Sequence, residues 1–258
     1  MKTIYKVLIS FSVGICLIVA GVGIGGLGYL YPIPFIPHVV WRPHSEENIR
    51  FEATEEIDDL KLELHKANVE FYTHQSHSIQ VEVDQVYSGF EVYVDGHELK
   101  IIQPNYWWFS QYDAADIRIY LPEHFRFSET DVSMSLGWVQ MNNLKTDDLK
   151  IDSYTGDFEM NDIQCQKLDL DAGVGSTKIN HLSFQNQLDI DLGVGSVYVL
   201  LDGHEDEYSY NVDVGLGDVM IGDRSFSGIV DTHLNKRGHK NIDVDCGLGS
   251  VDIEMEAH

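Results

Sequence analysis

Cysteine and basic residues are scarce in this chain of 258 residues: three Cys, and 17 Lys and Arg against 42 Asp and Glu. Each scarcity excludes something. Cys16, Cys165 and Cys246 cannot build a disulfide framework, so a body outside the cytoplasm must be held by its own core. Bridge geometry is strict, and Cys165 and Cys246 fall in separate repeats; Cys246 reads as a small buried apolar residue. All the acids follow residue 44, whereas Lys2, Lys6 and Arg42 precede it, so the body is more acidic than the formal net charge of −25. That balance excludes nucleic acid, which needs a basic patch, and docking onto anionic lipid. Cations, basic proteins and neutral glycans are the partners left. Catalytic motifs are missing as well: there is no Gly-x-Ser-x-Gly elbow, phosphate loop or His-Glu-x-x-His.

What is present begins with an apolar run. Residues 1–6 carry Lys2 and Lys6, and residues 7–31 carry no charge. A run of this length spans a bilayer, which needs ~20 residues, and the lysines place residues 1–6 in the cytoplasm. The expectation is a single-pass cell-membrane protein with its C-terminal body extracellular. A cleaved signal peptide is the rival, although its apolar core would exceed the usual ~7–15 residues. Residues 32–44 hold four of the six prolines and read as a stiff spacer.

Beyond the spacer one pattern recurs: apolar residues alternating with Asp, then a glycine corner. Its clearest copies are Leu170-Asp171-Ala172-Gly173-Val174-Gly175-Ser176, Ile190-Asp191-Leu192-Gly193-Val194-Gly195-Ser196, Val212-Asp213-Val214-Gly215-Leu216-Gly217-Asp218 and Val244-Asp245-Cys246-Gly247-Leu248-Gly249-Ser250. Shorter copies end at Gly137 and Gly156. The alternation is a strand with one buried and one wet face. After the last glycine the apolar phase slips by one, as at Val197 and Val199, which requires a corner. Gly156, Gly175, Gly195, Gly217 and Gly249 are therefore structural corners. Asn143-Leu144, Asn161-Asp162-Ile163 and Asn180-His181-Leu182 read as the next turn. Coils of this size bury their apolar faces only by stacking. The fold expected is all-β: a right-handed parallel β-solenoid over 131–258, with an insertion near 223–240 protruding as a loop or hairpin. Residues 45–130 also alternate, and are expected to supply an N-terminal β cap and the first rungs.

Two sets of residues stand out as candidate sites. Asp171, Asp191, Asp213 and Asp245 share one register and form a carboxylate ladder. Such a ladder is either a solvent-facing column or a set of ligands for Ca²⁺, which favours several oxygens. Trp107, Trp108 and Tyr112 form an aromatic cluster that either fills the cap or presents a ligand surface. His74 and His77 lack the further ligands a metal site needs.

The order of motifs is itself informative. Leu60-Lys61-Leu62-Glu63-Leu64, then Gly96-His97-Glu98-Leu99-Lys100-Ile101, then Ile117-Arg118-Ile119-Tyr120-Leu121-Pro122, then repeated Gly-[Ser/Asp]-Val corners resembles the bacterial putative-adhesin family of β-strand repeats, domain of unknown function 4097. The resemblance covers roughly residues 55–256 and supplies no catalytic residues. It implies a non-enzymatic β-solenoid-like body on the cell envelope that binds envelope glycan or protein, sometimes linked to envelope-stress sensing. A polysaccharide-cleaving β-helix enzyme is the remaining alternative, since carboxylate pairs are plentiful.

Overall fold

The computed structural model describes residues 48–53, 56–86, 89–103, 113–234 and 238–256, all within the compact unit His44–His258. The described part is all-β. Its strands are β1 (Ile49–Ala53), β2 (Asp59–His74), β3 (Ile79–Asp84), β4 (Glu91–Asp95), β5 (Glu98–Ile102), β6 (Ala115–Pro122), β7 (Phe127–Asn142), β8 (Thr146–Asp202), β9 (Tyr208–Val214), β10 (Asp218–Ile221), β11 (Arg224–Ser227), β12 (Val230–Leu234) and β13 (Lys240–Glu256). A short 3-10 turn at Glu205–Glu207 is the one helical element among the described residues. None of these residues forms a helix long and apolar enough to cross a membrane, and the expected anchor 7–31 and spacer 32–44 lie outside them.

The long strands pair in parallel. β2 pairs with β7, β7 with the start of β8, and the end of β8 with β13. The alternation sets which groups meet. Leu62, Val132 and Ile151 stand opposite one another on successive strands, as do Ile190, Val244 and Val212, and all six are fully buried. Burying each such side chain contributes ~1.5–3 kcal/mol, so this inner column is a main source of cohesion. Cys165 and Cys246 are buried free thiols in the core, and burial pushes the Cys165 thiol up to about 12.

A second device fixes the register at the far corner. Asn180 donates its Nδ2 to Asn161 Oδ1 at 2.7 Å, and Asn161 donates to Asn142 Oδ1 at 3.0 Å. Each of these asparagines precedes a left-handed residue: Asn143, Asp162 and His181, at φ 56°, 57° and 59°. Short polar side chains tolerate that conformation better than most. The first turn is thus built on Asn142 rather than on the Asn143-Leu144 pair alone.

The stacking order departs from the chain order. β13 lies between the end of β8 on one side and β9 with β10 on the other. The chain therefore makes its outermost rung first, then returns to fill the position inside it. The 223–240 insertion is the return path, and its described strands turn back onto the stack. β11 folds antiparallel onto β10, and β12 onto β9. The physical reason is the exposed edge of the last rung, whose unpaired backbone groups would otherwise template association. At the other end β4 covers β5, and β3 with β1 covers β6, again antiparallel. The segment 45–130 thus contributes both parallel rungs and covering strands.

Candidate binding surface

The corner of each rung is made by close backbone approach. A Cβ on Gly175 would stand 1.9 Å from the carbonyl oxygen of Gly156, and one on Gly195 at 1.9 Å from that of Gly175; both glycines have φ near +150°. Gly249 meets Gly195 O at 2.1 Å, Gly217 meets Gly249 O at 2.6 Å, and Gly156 meets Gly137 O at 2.7 Å by the same construction. A parallel column of Gly173, Gly193, Gly247 and Gly215 lies two residues upstream. Two glycine columns leave the residue between them pointing outward.

That residue is apolar in every double-glycine copy. Val174, Val194, Leu248 and Leu216 are 49%, 41%, 40% and 54% exposed, forming a ridge along the corner. Leu136 continues it toward the N-terminal end, past Thr155. The ridge was not singled out from the sequence, although the constant apolar residue inside each Gly-x-Gly was a usable signal.

Three residues upstream of the ridge stands the aspartate ladder. Asp245 lies opposite Asp191 on one side and Asp213 on the other, while Asp231 continues the column beyond Asp213. Asp171 occupies the rung inside Asp191. A second column places Asp243 opposite Asp189. Asp171 is held above the usual carboxylate range by burial and then by Asp152 and Asp169. Burial likewise raises Asp189 and Asp191, with Asp243 and Asp245 respectively as their strongest charged neighbours. Toward the N-terminal end the charges alternate instead: Lys61 lies opposite Asp131, which lies opposite Lys150. Lys100 bridges Asp95 at 2.9 Å and Glu98 at 3.0 Å. In these two columns the uninterrupted aspartates therefore belong to the C-terminal rungs, while at the N-terminal end a different column sets Asp59 opposite Glu129 and Glu129 opposite Asp148.

The columns spread their carboxylates one to a rung. Among the described residues no group of three or more His, Cys, Asp or Glu is placed to hold a metal ion. His74 is engaged otherwise, its Nε2 lying 2.9 Å from Ser78 O. Trp107, Trp108 and Tyr112 lie outside the described residues.

Where the upstream glycine column ends, the corner opens. His65, Ser135 and Tyr154 take the positions that glycines hold later, and with Glu63, Gln103 and Asp152 they line a cavity of about 370 Å³. Gln103 Oε1 accepts from the backbone N–H groups of His65 and Lys66 at 3.0 and 2.9 Å, so its amide stands in for a neighbouring strand. His65 Nδ1 is buried with no hydrogen-bond partner among the described residues.

Residues 57–202 match the family model described as Toastrack DUF4097. No curated protein matches the chain. Among solved structures, a putative cell adhesion protein from Clostridium sporogenes is 15% identical, with 81% of this chain and 100% of that chain covered and a TM-score of 0.41. A putative adhesin from Bacteroides fragilis is 11% identical, with 82% and 98% covered and a TM-score of 0.37. A putative lipid binding protein from Parabacteroides distasonis is 14% identical, with 81% and 96% covered and a TM-score of 0.27.

Proposed function

We propose, from the premise that this chain belongs to the Toastrack DUF4097 family, that it is a membrane-anchored, surface-exposed module that binds through an ordered face and performs no chemistry. Residues 7–31 anchor it, residues 32–44 lift the body from the bilayer, and the body winds as a right-handed parallel β-solenoid facing the exterior. The observation that carries this reading is the unbroken array of columns: aspartates, glycines and apolar residues repeat rung after rung across β8, β13 and β9. Such an array offers an extended contact surface of the kind that stacked-repeat proteins use. Its partners are envelope proteins or glycans.

Two measurements test the reading together. Asn186→Cys, at an exposed position, should react with a membrane-impermeant maleimide on intact cells, while buried Cys165 and Cys246 stay silent. The same full chain in nanodiscs should bind isolated envelope material saturably. Labelling only after lysis, or no binding, would remove the proposal.

One observation favours a second reading. The corner cavity sets Glu63 and Asp152 in one column with Ser133 between them, and paired carboxylates are the machinery of glycoside hydrolysis. Release of reducing ends from envelope polysaccharide, lost in Asp152→Asn, would favour that enzyme over the binding module.

A further inference from the structure

The ridge of Val174, Val194, Leu248 and Leu216 has different flanks. Upstream stand Asp171, Asp191, Asp245 and Asp213; downstream stand Ser176, Ser196, Ser250 and Asp218. Contiguous exposed apolar residues rimmed by polar ones mark contact sites. The backbone beneath is already paired: Gly215 N–H donates to Cys246 O and Leu216 N–H to Gly247 O, each at 2.8 Å. A partner here reads side chains and does not add a strand.

We infer that this ridge seats a basic, amphipathic α-helix from a partner polypeptide, running along the stacking direction with its apolar stripe on the ridge and its cations over the aspartate column. The inference rests on the reading of the body as a binding module. Repeat lengths support the helix. Stacked strands lie ~4.8 Å apart, and a helix rises ~5.4 Å per turn. Over the three steps from Val174 to Leu216 the two repeats drift by only about 2 Å. One apolar residue per turn therefore keeps pace with one ridge residue per rung.

Charge selects among occupants. An anionic surface is repelled by the column, and a neutral glycan, although its hydroxyls can donate to the carboxylates, brings no charge to offset them and no apolar stripe for the ridge. A second copy of this chain would bring two aspartate columns together. A Lys- or Arg-flanked helix offsets them instead. Burial, and then neighbouring aspartates (Asp152 and Asp169 at Asp171, Asp245 and Asp171 at Asp191), make both hold their protons more tightly than ordinary carboxylates, so a cation laid across them is favoured in return.

The test uses the full chain in nanodiscs of zwitterionic lipid, with empty nanodiscs as blank. The probe is a fluorescent Leu/Lys amphipathic helix of roughly 18 residues, about five turns, beside a scrambled peptide and a Leu/Glu counterpart. Saturable binding of the Leu/Lys helix alone is expected. Val174→Ser, Val194→Ser and Leu248→Ser together should weaken it by about tenfold or more, as for central contact residues. Asp171→Asn with Asp191→Asn should weaken it and flatten its salt dependence. Equal binding of the scrambled peptide, or no change in either variant, would overturn the inference. So would a dimer in sedimentation velocity that the triple variant abolishes, since it gives the ridge to a second copy. Envelope binding is measured on the same variants. Envelope binding that survives the triple variant overturns the ridge assignment and leaves the binding-module reading standing. No envelope binding by any form overturns that reading, while the peptide result still judges the ridge.

Discussion

Asp191 and Asp245 stand directly opposite each other on adjacent parallel strands, two carboxylates brought together by a chain that leaves the stack and returns. Like charges so placed destabilise a sheet, and cross-strand pairs are worth ~0.2–1 kcal/mol each. Asp191→Asn is therefore expected to stabilise the protein by an amount in that ~0.2–1 kcal/mol range. The gain should shrink at high salt, where screening already relieves the repulsion. Urea denaturation of wild type and variant at low and high ionic strength checks both halves; a loss of stability at low salt would refute them.

The same columns fix a pH dependence. Asp171, Asp189 and Asp191 have carboxyls raised in the folded state by burial and by neighbouring aspartates. The folded protein therefore binds these protons more tightly than the unfolded chain. Stability is lower at neutral pH and rises as pH falls through the raised values, ceasing to rise below the unfolded value of ~3.9. Asp95 and Glu207, lowered by Lys100 and Lys240, work in the opposite sense, but only at or below the ordinary carboxylate range. The melting temperature is expected to be higher just above the ordinary carboxylate range than at neutrality. Asp171→Asn with Asp191→Asn should flatten that difference; a difference unchanged by the pair would assign it elsewhere.

Some of this architecture is legible in the residues and some is not. Leu188, Ile190 and Leu192 alternate with Asp189 and Asp191, and period two leaves no choice of buried face. The double glycines announce a corner because no other residue fits the backbone approach found at Gly195. Rung order is another matter. Val244-Asp245-Cys246 fits beside Ile190 as well as beside Val212, and near-identical copies carry no mark of their place in a stack. The ridge was hidden for the same reason: Val194, Leu248 and Leu216 become neighbours only once β13 is placed between β8 and β9. The Asn142 turn was displaced by one because two asparagines are adjacent, and only the side-chain ladder tells them apart.

Glycine corners differ sharply in what they tolerate. At Gly195 a Cβ meets a carbonyl oxygen at 1.9 Å, on backbone that cannot swing away, and φ is +147°. Gly195→Ala is expected to cost more than ~3 kcal/mol, above the ~0.5–3 kcal/mol of most single substitutions. At Gly96, in the turn between β4 and β5, nothing lies within 4 Å and only the left-handed φ of +67° is strained. Gly96→Ala should cost ~1–2 kcal/mol. Comparable losses at both sites, read from chemical denaturation, would refute the close approach.

The asparagine ladder should behave as one unit. Asn161 both donates to Asn142 and accepts from Asn180, so Asn161→Ala removes two bonds at once, from the half-buried Asn142 Oδ1 and Asn180 Nδ2. A cost of ~1–3 kcal/mol is expected, the scale of an unmet polar group. Asn180→Ala breaks only one of the two bonds and should cost less. The double variant should fall short of the sum of the singles, since bonded neighbours are not additive; strict additivity would dissolve the ladder.

Rung order can be tested by covalent capture. Ser250 lies opposite Ser196 on one side and Asp218 on the other, so Ser196 and Asp218 are two rungs apart. Neighbouring strands are ~4.8 Å apart, within the span a disulfide accepts, whereas two rungs exceed the ~7 Å limit between Cα atoms. Ser196→Cys with Ser250→Cys should therefore oxidise to a bridge under mild conditions. Ser196→Cys with Asp218→Cys should not. If the segments were stacked in chain order the outcome would reverse, because β10 would then lie against β8 and Ser250 would be the distant partner. Mass spectrometry of the oxidised pairs under non-reducing conditions distinguishes the two arrangements. The result also decides whether Val194 and Leu248 are neighbours, on which the continuity of the apolar ridge depends.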